Sequence, residues 1–190
     1  MEQRMAFVLI GKSPLLTHNP KSMQAPKGGK GKTLIPSSEE EAKAGLYVDE
    51  EGRFCLPGIS IRNSFIKAAG AWRGAWQKRR ETLTGAVAHC MVEPELVPIL
   101  DAATGEPIKA YEIDTRRAVV QRQGISRSRP RFPNWMVRPV FVYDDDFLPK
   151  DQAMLQEQFV AVLSDAGNRL GVGDYRPQKT GWFGRFTATL

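Results

Sequence analysis

Two amphipathic helical stripes, each lying between strand-like apolar runs, constrain this chain more than any other feature of its sequence. Ser60 precedes Ile61, Phe65, Ala68, Ala69, Trp72 and Trp76, a spacing that lines one face of a helix. Far downstream Met154, Leu155, Phe159, Val162 and Leu163 repeat that spacing as far as Ala166, just before Gly167, and Pro149 sits where a first-turn proline is tolerated. The runs around them read as strands. Met5 to Gly11 (MAFVLIG) is β-branched and aromatic and stops at glycine. Ala86 to Val92 and Leu96 to Leu100 are apolar and parted by Glu93-Pro94, giving one bent strand or two short ones. Trp135 to Tyr143 is a strand that Pro139 assigns to an edge or a bulge. A final strand is expected from about Trp182 to Thr189.

Taken in order these elements spell β, α, β, β, α, β, so the expected fold is α+β with a ferredoxin-like (RRM-like) core. Right-handed crossovers put both helices on one sheet face and leave the other available. The chain reads as one domain over 1–190, with 12–58 and 101–134 as insertions. Within the first insertion, Ser37 or Ser38 caps a short helix running through Lys43 to a stop at Gly45, and Leu46 to Val48 with Arg53 to Leu56 suggest a small hairpin. The second insertion is read as an extended excursion without a core element.

Charge is concentrated in those insertions. The net charge is +6 and the pI about 9.5, which favours a polyanionic partner because neutralising phosphates releases condensed counterions. Lys12, Lys21, Lys27, Lys30 and Lys32 occur with no acidic residue among them. From Lys109 to Arg138 the chain carries Arg116, Arg117, Arg122, Arg127, Arg129 and Arg131 as well, against only Glu112 and Asp114. Cys55 and Cys90 stand apart in apolar contexts, so neither a disulfide framework nor a zinc knuckle is expected, and a reducing cytoplasm fits best. No apolar stretch approaches the length of a membrane span.

Three segments then compete for a role in binding. Gly171, Gly173, Gly181 and Gly184 form a glycine-rich turn whose main-chain N–H groups can approach phosphate oxygens, with Arg176, Lys179 and Arg185 adding charge. The plainer reading is a tight turn between helix and strand. The arginine-rich insertion interleaves its guanidinium groups with Phe132 and Trp135, a mixture suited to phosphates and stacked bases, or to a basic loop anchored by its aromatics. Lys27, Lys30 and Lys32 belong to a Pro/Gly/Lys-rich loop that would order on binding. Its GGKGKT echoes a phosphate loop without the GxxxxGK[ST] spacing or an adjacent strand, which disfavours an NTPase. Asp144, Asp145 and Asp146 are explained as a solvated strand end beside a helix start, so no metal or cofactor is expected. Trp76 and the basic run after it mark a helix end able to meet a neighbouring subunit or nucleic acid.

Three motifs carry a resemblance: G-K-S-P-L-L-T-H-N-P from Gly11, L-P-G-I-S-I-R-N-S-F-I-K-A-A-G from Leu56, and G-V-G-D-Y-R-P-Q-K-T-G-W-F-G-R-F from Gly171. On these the chain resembles the RAMP superfamily of CRISPR-associated proteins, especially the subunits that coat a guide RNA. The resemblance implies an RRM-like domain whose glycine-rich loop helps hold RNA, no enzymatic activity, self-association and contact with other effector subunits. It places His18 and Asn19 beside the strand. Some relatives process RNA with a histidine, so a metal-independent endoribonuclease using His18 is the first alternative. The insertions have no counterpart, and the chain is short for a backbone subunit. A phage- or plasmid-borne relative, or a phage protein mimicking an effector subunit, is the second. The expected partner is single-stranded RNA, with DNA as the other choice.

Overall fold

Four antiparallel lanes of backbone hydrogen bonds organise the computed structural model, which describes residues 1–23, 36–73, 82–120, 123–144, 146, 148 and 151–190. In chain order the elements are β1 (Glu2–Ala6), β2 (Val8–Gly11), β3 (Leu15–Leu16), α1 (Ser38–Ala44), β4 (Cys55–Pro57), α2 (Gly58–Ala69), α3 (Leu83–Val87) and β5 (Met91–Glu93). They continue with β6 (Leu96–Pro98), β7 (Leu100–Asp101), β8 (Glu112–Val120), β9 (Gln123–Phe132), β10 (Trp135–Val137), β11 (Val140–Asp144), α4 (Gln152–Arg169) and β12 (Phe186–Thr189). The protein is α+β, with several antiparallel sheets and these four α-helices among the described residues.

β12 pairs with β2, β2 with β10 and β10 with β7; in line with them β1 pairs with β11 and β11 with β5. The lanes therefore run β12, β1–β2, β10–β11, β5–β7. Pro139 interrupts the third lane because it has no N–H to donate. It makes no bulge: Leu9 faces Val137 on one side and Ala6 faces Val140 on the other in an unbroken register, and the Phe7 amide donates to the Pro139 carbonyl at 3.0 Å. The fourth lane is split because β6 leaves it to pair with β4.

Alternation in the first lane turns Met5, Phe7 and Leu9 inward, all 5% exposed or less. There they meet α2 and α4. Phe159 lies among the rings of Phe65, Tyr143, Phe7 and Phe141, at centroid distances of 5.0, 5.9, 6.2 and 6.3 Å. Such ring clusters contribute beyond their buried area. α4 is longer than its spacing suggests and runs through Gly167, where the absent Cβ lets the helix settle against the Phe186 carbonyl. Asp151 caps it, accepting from the amides of Ala153 and Met154.

Several elements differ from expectation for local reasons. Ala86 and Val87 belong to α3 rather than a strand. α2 ends at Ala69, so Trp72 lies beyond it and donates from its indole to Asp165 on α4 at 2.8 Å. The final strand begins at Phe186, four residues later than the apolar run does. The second insertion is a regular hairpin, β8 against β9, and β3 extends it into a three-stranded sheet. Ser37 completes a capping box with Glu40 at the start of α1, as the sequence indicates. Gln77 to Arg80, Trp76, Lys27, Lys30, Lys32, Arg122 and Asp145 lie outside the described residues.

Candidate nucleic-acid interface

A cleft of about 230 Å3 opens where three segments distant in sequence converge. Thr17 and His18 come from the turn after β3, Leu56 and Pro57 from the end of β4, Ser60 from the first turn of α2, and Gly173, Asp174 and Arg176 from the glycine-rich segment; Tyr47 closes one side. The start of α2 has no side-chain cap, because the N-cap residue is Pro57. The Gly58 amide donates to the Glu95 carbonyl at 2.7 Å, and Ser60 is the residue of the first turn that lines the cleft. Arg176 is held in the wall by bonds to the Gly173 carbonyl at 2.8 Å and the Gln178 side chain at 3.2 Å. Both acceptors are neutral, so its charge stays uncompensated by them.

His18 is placed by its neighbours. Its carbonyl accepts from the Tyr47 hydroxyl at 3.2 Å, and its Nδ1 lies 3.4 Å from the Ser22 hydroxyl. Burial holds its pKa below the ordinary value; Asp174 opposes this, while Arg129 and Arg127 add to the lowering. The imidazole is therefore neutral at pH 7 and offers hydrogen bonds rather than charge. Asn19 turns away to structural work: its amide nitrogen donates to the Leu46 carbonyl at 3.0 Å, and its side-chain oxygen accepts from the Lys21 amide at 3.0 Å.

The glycines serve close packing. A Cβ at Gly171, Gly173, Gly181 or Gly184 would meet protein atoms, not open space. Gly173 shows why: its φ of +75° suits glycine, and a side chain there would run into the Leu16 carbonyl. Many of the segment's amides are already used. Val172 donates to Gly184, Asp174 to Leu16, Phe183 to Tyr175 and Gly184 to Pro14, at 2.8 to 3.1 Å. The segment is thus a rigid wall for the cleft, and its side chains carry whatever contact it makes.

The arginines of the hairpin are mostly committed to carboxylates. Arg116 forks onto Asp114 at 2.6 and 3.1 Å and lies 4.7 Å over the Phe183 ring. Arg127 donates to Glu41 at 2.8 Å, and the Ser128 amide donates to the same carboxylate at 2.8 Å. Arg129 pairs with Asp174 and lies 4.7 Å over Tyr175, while Arg131 pairs with Glu112. Arg129 is 8% exposed, and its Nη1 is buried with no hydrogen-bond partner among the described residues. A buried, half-satisfied guanidinium beside the cleft wall is an unusual expense for a fold. Phe132 and Trp135 are fully buried, the latter donating to the Ser13 carbonyl at 2.8 Å, so they anchor the hairpin.

What remains as free charge is smaller and differently placed. Arg117, Lys179 and Arg185 are exposed and make no ion pair among the described residues. Sequence reasoning passed over Tyr47, Ser60 and the exposed Trp182. The motifs that begin at Gly11, Leu56 and Gly171 contain every lining residue except Tyr47, and they were the available signal for the cleft. Among the described residues no cluster of three or more His, Cys, Asp or Glu is arranged to hold a metal ion. Asp144 instead accepts from the chain's own amino terminus and from the Asp146 amide, both at 3.1 Å. No helix of the described residues is long and apolar enough to cross a membrane.

No family model matches this chain, and no curated protein does. Its structure is similar to the crystal structure of Cmr6 from Pyrococcus furiosus, with 10% sequence identity, a TM-score of 0.45, and 100% of this chain and 99% of that chain covered.

Proposed function

We propose that the protein is a RAMP-like, non-catalytic module that holds the backbone of single-stranded nucleic acid, guide RNA in the first instance. It assembles along the strand with further copies and with other subunits of a CRISPR-type effector complex, in the cytoplasm. The order of the four lanes, with α2 and α4 packed together on one side, supports reading the core as ferredoxin-like. The observation that carries the proposal is the cleft. Ser60 and Arg176 line one small volume together with Pro57 at the uncapped start of α2, a set of groups suited to a phosphate with its sugar. Arg117, Lys179 and Arg185 add exposed charge to draw the strand in.

The test is a salt titration of binding to single-stranded oligonucleotides. Affinity should fall steeply, and replacing Arg117, Lys179 and Arg185 together with alanine should reduce the log–log slope by about 2, at roughly 0.7 per phosphate contact. Because all three side chains are exposed, the melting temperature should not move. Absent or salt-insensitive binding rejects the proposal. Incubating RNA with wild type and His18→Ala settles the enzyme question: cleavage abolished by the substitution overturns the non-catalytic reading.

A further inference from the structure

Among the described residues only Met1 exposes more of a large apolar side chain than Trp182, which is 64% exposed. An indole left in water forgoes a large burial gain, and here the exposure is not the slack of a loose loop. The Ser13 hydroxyl donates to the Trp182 carbonyl at 2.7 Å, and the Arg185 amide donates to that same hydroxyl at 3.0 Å. The next residue, Phe183, is buried, its amide bonded to the Tyr175 carbonyl at 3.1 Å. The ring itself is steadied by Phe183, 5.9 Å away between centroids, and by the Arg116 guanidinium 5.8 Å from its centre. Asp114 fixes that guanidinium in turn. Lys179 and Arg185, both exposed, lie three residues to either side in sequence.

A rigidly mounted aromatic face with a guanidinium beside it, in a segment that also carries exposed Lys179 and Arg185, suits an aromatic ligand carrying negative charge. We infer that Trp182 is a stacking platform for one base of the bound strand, an inference that rests on the backbone-holding proposal above. Every base has a π-face, so the platform is indifferent to sequence and compatible with a protein that reads no bases. Arg116 and Asp114 act as positioning residues that hold the indole in its ready orientation and spare the ordering cost on binding.

Binding of a uridine oligonucleotide and of an abasic strand of equal length separates the contributions. Trp182→Ala should weaken the uridine oligonucleotide by roughly tenfold and leave the abasic strand unchanged. Trp182→Phe should restore most of the loss. Of the four tryptophans, the fluorescence missing in Trp182→Phe should be the part that the uridine oligonucleotide quenches in wild type. Equal losses on both strands, or none on either, overturn the stacking role while the backbone-holding proposal stands. Wild type binding neither strand refutes that proposal and the platform with it.

Discussion

Removing the Glu41 carboxylate tests how the basic hairpin is held. Glu41 is 8% exposed on α1, and its two oxygens accept from Arg127 and from the Ser128 amide, each at 2.8 Å. Glu41→Ala deletes both charge-assisted bonds and strands a guanidinium whose side chain is 26% exposed. Breaking a fully buried pair costs about 3–5 kcal/mol. Water can reach part of Arg127, so the expected loss is about 2–3 kcal/mol. For a chain of this length each kcal/mol shifts the midpoint by about 2–4 °C, which places the fall at about 4–12 °C. Glu41→Gln keeps an acceptor for one donor and should lose about half as much. Thermal melts followed by circular dichroism, at low and high salt, provide the readout. A fall under about 0.5 kcal/mol, or one that disappears in high salt, would show an ordinary surface pair and refute the reasoning.

Further perturbations probe glycine packing and the cleft histidine. Gly173→Ala forces an L-residue to φ +75° and drives its Cβ into the Leu16 carbonyl; denaturant unfolding should show a loss of at least about 2 kcal/mol. Gly85→Ala in α3, where nothing lies within 4 Å of the new Cβ, should be neutral or stabilising by up to about 1 kcal/mol, and equal effects would contradict the packing argument. His18 predicts a pH dependence. Its folded pKa lies below about 6.5, so the unfolded chain takes up the proton first, and stability present above that pH is lost as the solution is acidified through it. His18→Gln should flatten the curve in that window; a wild type that gains stability on acidification there, or a variant with an unchanged slope, defeats the assignment.

The core was legible because its signals are periodic and local. Ile61, Phe65 and Ala68 repeat at helical spacing, and Met5, Phe7 and Leu9 alternate, so element type follows from which face must leave water. The Ser37 capping box was equally plain, since its partners sit three residues apart. The hairpin of β8 and β9 was not. Its strands are crowded with arginine and serine, a composition that reads as loop, and its order comes from cross-strand partners and from Glu41 and Asp174 lying far away in the chain. For the same reason the arginines looked free in sequence: the acids that neutralise Arg127 and Arg129 are 86 and 45 residues distant.

The sequence by itself determined the two long amphipathic helices and the alternating first strand, the positive balance of charge and the glycines that the last turn requires, because each depends on neighbours along the chain. Tertiary structure alone decided which charges remain available and where a ligand can sit. A salt bridge, a cleft wall or an exposed indole is a relation between segments, and such relations arise only when burial of the common core brings the turn after β3, the start of α2 and the segment from Gly171 to Gly184 into contact.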